Sequence, residues 1–226
     1  MLPGPFAMLD PMRCIVTAGP TYEPLDGVRR LTNFSTGRLG SELAATLAAR
    51  GHEVTLLIGE QAVFRGESQA HRVQTFTTTA DLRERLRALA GEPVDAVFHA
   101  AAVSDFSFGK VWVRSAHGEL TEIRSGKIST RQGTLLAELA PTPKIIAELR
   151  PWFPHARIVG WKYEVDGSRA DVIRQAETQI AECSTDACVA NGPAYGAGFG
   201  LVQAEGCKHV ADAPSLFEAL QQLLHK

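Results

Sequence analysis

The sequence predicts an α/β fold built on a mainly parallel sheet, and three observations carry that prediction. Short β-branched runs alternate along the chain with longer stretches in which leucine and alanine recur at helical spacing. The first strand, helix and second strand, from Arg13 to Ile58, form a βαβ unit, which implies parallel strands and a right-handed crossover. The strands also end in loops rich in glycine, hydroxyl and acidic side chains, the edge at which open parallel sheets bind ligands.

Arg13–Ala18 is apolar and β-branched, a buried strand broken by Gly19-Pro20-Thr21. Tyr22 to Arg30 reads as a polar loop. Leu39, Leu43 and Leu47 mark a helix from Leu39 to Arg50 that Gly51 ends, and His52–Ile58 is the next strand. Arg72–Thr77 alternates as a strand, and Thr79 or Asp81 caps a helix to about Ala90. Asp95–Val103 is strongly apolar and predicts a central strand that ends at Asp105. Val111–Val113 and Leu120–Ile123 alternate around His117-Gly118, a hairpin arm over about 110–128. Leu135 to Leu139 is apolar, and Thr142-Pro143-Lys144 opens a short helix ended by Pro151 and Pro154. Then come a strand at Arg157–Glu164, a helix from Ser168 to about Glu182 and the last inner strand, Asp186–Asn191. A glycine-rich loop, Gly192–Gly200, and a closing helix, Ala213–Leu224, finish the chain. The expectation is a Rossmann-like three-layer αβα sandwich with a protruding β-hairpin arm.

At 226 residues the chain fits one domain with insertions, since domains run about 100–200 residues. A hydrophobic content of 45% permits a full core, and a net charge of −2 argues against a general nucleic-acid or anionic-membrane binder. Apolar runs all fall short of the roughly 20 residues of a membrane span. The start lacks a basic region followed by an apolar core, so residues 1–11 read as a loose leader to a single domain over 12–226. Met8 and Met12 stand as alternative starts to Met1. The four cysteines form no CxxC pair, and Cys14 and Cys188 fall in apolar runs, which fits a reduced, cytoplasmic setting.

Leu31–Gly40 draws most attention. Glycine, hydroxyls, an amide and basic side chains precede a helix, the chemistry of an anion site at a helix N-terminus. The same residues serve as a plain helix cap, with Ser35 or Thr36 at the N-cap. Asn33 offers an amide to orient a polar intermediate, and Arg38 offers either charge or a solvated surface. Asp105 follows a buried strand directly and reads as a turn aspartate or a site carboxylate. Lys127 lies between Gly126 and Ile128 in a loop where most lysines are surface charges. His99, within an apolar strand, reads as a satisfied core histidine. Trp161 is half packing and half platform, beside Lys162. No His/Cys cluster has metal-ligand spacing, no GxSxG occurs, and no GxGxxG follows the first strand. The second strand ends in Ile58-Gly59 rather than the acidic residue that holds a ribose.

Several segments then act together. Thr17–Asp26, Val28-Arg29 and Asn33–Gly40 resemble the opening of the phosphopantothenate–cysteine ligases, the phosphopantothenoylcysteine synthetases of coenzyme A biosynthesis. Ala100–Phe106, Lys127-Ile128, Pro143-Lys144-Ile145, Gly160–Glu164 and Asp186–Asn191 resemble their later motifs in order, so the likeness runs from about Met12 to the C-terminus. Each motif alone is weak, and six in order are specific.

The resemblance implies a reaction and its residues. The carboxylate of 4′-phosphopantothenate is activated by CTP or ATP, with Mg, as an acyl-nucleotide, and the amine of cysteine then displaces the nucleotide. Lys127 would stabilise charge during activation, and Asn33 would hold the acyl intermediate. Gly19, Thr21, Ser35, Thr36, Gly37, Arg38 and Asn191 would lie near phosphate or substrate. Ala100, Ala101, Asp105, Pro143, Lys144, Ile145, Ile146, Trp161 and Lys162 would line the nucleotide pocket. The likeness also implies a homodimer formed with help from the arm. Many bacterial members are fused to an N-terminal flavin-dependent decarboxylase, and the short leader here departs from that pattern, so the expectation is a stand-alone ligase without flavin. Bacterial CTP users carry lysines where this chain has Gln179-Ile180-Ala181-Glu182-Cys183. Pro20 and Lys144 also depart from the bacterial pattern, and Trp161–Glu164 looks closer to the ATP-using branch. A nicotinamide-dependent Rossmann-type reductase and a non-catalytic nucleotide-binding relative are the alternatives.

Overall fold

The structure is a computed structural model describing residues 10–64, 66, 70–129, 131 and 133–225. Most of the leader expected over 1–11, with Met1 and Met8, lies outside the described residues. The central sheet begins with β1 (Arg13–Ala18), β4 (Glu53–Gly59), β5 (Arg72–Phe76) and β6 (Ala96–His99). It continues with β10 (Arg157–Tyr163), β11 (Ala187–Asn191), β12 (Phe199–Gln203) and β13 (Gly206–Val210). Across the sheet the order is β13-β12-β11-β10-β6-β1-β4-β5. The strands from β5 to β11 pair in parallel, and β12 and β13 pair antiparallel. The fold is Rossmann-like, with helices on both faces of the sheet.

Register decides which side chains share a face. Val16 sits beside Phe98, and Phe98 beside Val159, in a row that faces α1 (Arg38–Ala49) and α5 (Ala213–Leu224). The alternate row, Ile15, Val97 and Ile158, faces α2 (Thr79–Leu89) and α3 (Ile145–Trp152). Further along that face, α4 (Arg169–Cys183) covers Cys188 and Ala190 through Val172 and Ala176. Buried on both faces, the inner strands are near-continuous apolar runs, as in other parallel sheets. Leu43, Leu47, Leu216 and Leu220 are fully buried between α1, α5 and the sheet. Each such side chain contributes about 1.5–3 kcal/mol when removed from water.

The helix starts show why the chain folds locally as it does. Ser168 and Asp171 form a reciprocal capping box at α4. Thr78 caps α2, one residue before the Thr79 the sequence suggested, by accepting from the Asp81 N–H. At α1 neither Ser35 nor Thr36 is the N-cap. Gly37 holds that position at φ 79°, without a side-chain cap. Only glycine takes this left-handed geometry cheaply, and the turn leaves the first helical N–H groups facing the loop. The central strand is shorter than its apolar run: β6 stops at His99, and Ala100–Val103 form the loop that leaves the sheet edge.

Two predicted loops contain strands. Within Tyr22–Arg30 the chain makes β2 (Tyr22–Pro24), which pairs with β3 (Arg30–Thr32). The glycine-rich 192–200 segment leads straight into β12, which was read as loop because Gly198 and Gly200 break the apolar alternation. The arm is larger than 110–128. It is a three-stranded sheet of β7 (Phe106–Arg114), β8 (Leu120–Ile123) and β9 (Thr134–Pro141), with β7 in the middle. The Leu135–Leu139 run is therefore its third strand.

Gly40 sets how closely α1 approaches the sheet. A Cβ placed there would stand 2.7 Å from Ala18 Cβ and 3.0 Å from Thr17 O, atoms that belong to the strand itself. Replacing Gly40 by valine should therefore force α1 outward and cost about 1–3 kcal/mol. Chemical denaturation of the variant would show this as a lowered midpoint with an unchanged slope.

Candidate active site at the carboxyl edge of the sheet

The chain leaves β1 and β6 in opposite directions. From β1 it crosses one face through α1, and beyond β6 its helices α3 and α4 cover the other face. Adjacent strands of this kind open a crevice at their carboxyl ends. Here the two exit loops are stitched together across it. Ala102 N–H donates to Gly19 O at 3.0 Å, and Thr21 N–H donates to Ala102 O at 3.1 Å. The second lone pair of the Ala102 carbonyl takes the Asn33 Nδ2–H at 3.1 Å. Asn33 is exposed, and with its NH2 group engaged, its Oδ1 is the end left to accept from a ligand. Phe34, next to it, is fully exposed.

On one side of this crevice lies a cleft of about 160 Å³ under the start of α3. Seven of the nine residues expected around a nucleotide line it: Ala101, Asp105, Pro143, Lys144, Ile145, Ile146 and Trp161. Ala100 and Lys162 are not among its lining residues. Lys162 is instead paired with Glu164 at 3.0 Å. Lys144 is paired with Asp105 across the mouth. Both cations beside the cleft are thus already neutralised by carboxylates. Five lining residues lie outside the expected set, His99, Val103, Ser104, Thr142 and Gln179, and two of them bear on the chemistry. Gln179 attracted notice only for not being lysine, and its amide Nε2 lies 3.2 Å from Cys188 Sγ. His99 was read as a core histidine, and it is both buried and a wall of the cleft. Its place as the last residue of the central strand was the available signal.

His99 is held rigidly. Its Nδ1 lies 3.0 Å from Thr17 Oγ1, and that hydroxyl accepts the Ala101 N–H at 3.1 Å. Burial pushes the imidazole down to about pKa 4, so it is neutral at physiological pH. Burial likewise pushes the Cys14 and Cys188 thiols up to about 12, which keeps them protonated and inert.

The glycine and hydroxyl residues fall on the other side. Gly37 and Gly19 are in near contact, and a Cβ on Gly37 would stand 3.3 Å from Gly19 Cα. Thr36 Oγ1 accepts the Arg38 N–H at 3.3 Å, and Ser35 is half-buried beside it. The Arg38 guanidinium pairs with Glu42 one turn along α1 at 2.7 Å. Thr21 is fully buried, and its hydroxyl lies 3.1 Å from Ser104 Oγ and accepts the Ser104 N–H at 2.8 Å. That geometry makes it a brace between the two loops rather than a surface group. Asn191 ends β11, and its buried Oδ1 has no hydrogen-bond partner among the described residues. The Trp161 Nε1–H is buried and unpartnered in the same way.

Lys127 lies outside both clusters, on the strap that follows β8. It is exposed, and among the described residues its ammonium makes no ion pair. The strap rests against the loop before β3, whose end carries Asn33. Among the described residues no group of three or more His, Cys, Asp or Glu side chains is placed to hold a metal ion, and no helix is long and apolar enough to cross a membrane.

Comparison with known families decides the lineage. Residues 9–213 match the family described as the DNA/pantothenate metabolism flavoprotein C-terminal domain. The chain belongs to this family. Within it, the chain is similar to the coenzyme A biosynthesis bifunctional protein CoaBC of Thermococcus kodakarensis, at 35% identity over 183 residues. That alignment covers 81% of this chain and 42% of the relative. It is also 34% identical over 194 residues to a cysteine/cysteine sulfinic acid decarboxylase from an unknown prokaryotic organism, covering 85% and 49%. Among solved structures, the DNA/pantothenate metabolism flavoprotein from Streptococcus pneumoniae superimposes with a TM-score of 0.82. It is 25% identical and covers 95% of this chain and 98% of that one. The chain spans about half the length of the curated relatives it matches.

The cleft wall carries an acid limit. His99 has a reference pKa of 6.5 and sits near 4 in the fold, so the unfolded chain takes up its proton first. Its contribution to stability is complete above about pH 6.5 and is lost as pH falls towards 4, on the order of 3 kcal/mol in all. Urea unfolding between pH 7 and 4 should show this loss, and a His99→Asn variant should flatten it.

Proposed function

We propose that this chain is a phosphopantothenate–cysteine ligase. Family membership supports the class, and the arrangement around Asn33 supports the chemistry. The relatives' names describe proteins about twice as long as the matched part, so they do not by themselves assign this half. The observation that carries the reading is the Asn33 amide, anchored on the Ala102 carbonyl one residue from Ala101 in the cleft wall. A nucleotide lying in the cleft would bring its α-phosphate towards this crevice.

A carboxylate is a poor electrophile, so the reaction needs two steps. The 4′-phosphopantothenate carboxylate oxygen attacks the α-phosphorus of CTP or ATP, forming the acyl-nucleotide and releasing pyrophosphate. The cysteine amine then attacks the acyl carbon, the nucleoside monophosphate leaves with the C–O bonding pair, and the amine loses a proton. Lys127 supplies positive charge where negative charge builds up on the phosphoryl oxygens in the first step. In the second step the Asn33 Oδ1 accepts from the incoming amine and fixes its line of approach. Ser35, Thr36, Gly37 and the start of α1 form a cradle for the substrate phosphate, with Gly19 leaving room for close approach. Asp105 and Lys144 must exchange partners when the nucleotide enters, and Lys162 must leave Glu164 if it is to meet the triphosphate. A magnesium ion would be carried by the triphosphate's own oxygens, since the described side chains offer no cluster of ligands. The reading extends to a cytoplasmic homodimer. The arm carries Phe106, Leu120, Leu136 and Leu139 exposed, which suits a second copy of this chain.

With 4′-phosphopantothenate and CTP or ATP, pyrophosphate should appear only when both are present, and the amide only when cysteine is added. Absence of substrate-dependent pyrophosphate with either nucleotide would sink the ligase reading. Lys127→Gln should slow pyrophosphate release by about 10²–10³-fold, the usual scale for one charge-stabilising donor. Asn33→Asp should still release pyrophosphate but accumulate the acyl-nucleotide, detectable by mass spectrometry. Sedimentation analysis should give twice the chain mass, and a Leu136→Glu, Leu139→Glu double variant should give the monomer.

A further inference from the structure

The strap that carries Lys127 is tied down at one place, and the tie is made by a buried carboxylate. Asp26 sits in the loop between β2 and β3, and its side chain is fully shielded from solvent. One oxygen, Oδ1, accepts the N–H groups of Val28 at 2.9 Å and Arg29 at 2.8 Å. That is a local turn, and it leaves Oδ2 aimed outward from the loop. There Oδ2 accepts the Ile128 N–H at 3.1 Å, from 102 residues further along the chain. Two further bonds close the same contact. Gly27 N–H donates to Gly126 O at 2.8 Å, and Arg29 Nη2 donates to Ile128 O at 2.6 Å. The Ile128 side chain is buried beneath them.

The residues held are those on either side of Lys127. Its own backbone is shaped by Ser125, whose hydroxyl donates to Lys127 O at 2.8 Å and accepts the Lys127 N–H at 3.3 Å. The lysine is thus fixed at the backbone while its side chain stays exposed. The anchoring loop runs on into β3 and from there to Asn33, which has its own tie to Ala102. A shielded carboxylate that accepts three backbone N–H groups, with the Arg29 guanidinium 3.6 Å from Oδ2, is the strong kind of hydrogen-bond acceptor. These bonds also hold the Asp26 carboxyl below the usual carboxylate range, the Val28 N–H foremost.

We infer that Asp26 is a positioning residue for the activation step: it latches the 125–129 strap so that the Lys127 ammonium reaches the phosphoryl group. The inference rests on the reading of Lys127 given under Proposed function. The latch acts on the first half-reaction, since Asn33 keeps its own bond to Ala102 whether or not the strap is held.

The test compares Asp26→Asn with Lys127→Gln in the whole chain. An asparagine keeps the size of the side chain and an acceptor for Val28 and Arg29. It turns its NH2 group towards the Ile128 N–H, donor against donor, and releases the strap. Pyrophosphate release should slow at least tenfold in kcat, with the KM for 4′-phosphopantothenate within about twofold. Amide hydrogen exchange should rise at Lys127 and Ile128, and the capture of preformed acyl-nucleotide by cysteine should keep its rate. Ile128→Ala loosens the strap without touching Asp26 and should shift kcat and exchange in the same direction. It stands in for Asp26→Asn if that variant fails to fold. A slow Lys127→Gln beside loosened-strap variants of unchanged kcat overturns the latch and leaves the ligase reading standing. A full-rate Lys127→Gln removes the role of Lys127 itself, and the positioning role falls with it.

Discussion

The carbonyl oxygen of Ala102 is where the site is assembled. It accepts one bond from the backbone of the loop after β1 and one from the side chain of Asn33. A carbonyl has two lone pairs, and here both are in use. Everything that would react is arranged around this point. The cleft begins at Ala101, the cradle of small and hydroxyl residues begins at Gly19, and the loop that anchors Lys127 ends in Asn33. The sheet contributes because the chain leaves β1 and β6 towards opposite faces there, which opens the crevice.

Much of this was legible in the chain. β1 and α5 have the limits read from apolar runs and helical spacing. Both signals are local, and the fold leaves them undisturbed. Other features were hidden for identifiable reasons. β6 is shorter than its apolar run because Ala100–Val103 remain half-buried in the exit loop, where small side chains are required by close backbone pairing rather than by strand packing. β12 was obscured by Gly200, whose bare Cα leaves room for Tyr195 and Cys207: a Cβ there would stand 2.7 Å from the Tyr195 ring. The third strand of the arm carried an apolar pattern whose partner, β7, was invisible until the register was known.

The site residues divide along the same line. Asn33, Asp105 and Lys127 each have a plain reading on their own, and the order of the family motifs is what singles them out. The relations between site residues carry no such mark. Arg38 and Lys162 are each matched by a glutamate, Arg38 by Glu42 within α1 and Lys162 by Glu164 just past the end of β10. Thr21 looked like a phosphate ligand, and its hydroxyl is consumed by Ser104 in the interior. His99 shows the opposite error. A histidine in an apolar strand is normally packing, yet the end of a central strand at the divergence of the sheet is also a wall of the cleft. Hydrogen-bond partners 80 or more residues apart, such as Thr17 with His99, leave no periodic trace in a sequence.

The contact between Gly40 and Ala18 ties the architecture to the descent of the family. The gap between α1 and β1 is set by one absent methyl group on the helix and one present methyl on the strand. Neither position touches a reacting group, and together they fix where the cradle stands relative to the sheet. Emptying position 18 would relieve only part of the clash that a larger residue at 40 creates, because a Cβ at 40 would still stand 3.0 Å from Thr17 O and 3.2 Å from Ala18 Cα. A chain with a larger residue at 40 would keep every residue of the chemistry and lose the distance at which the cradle stands.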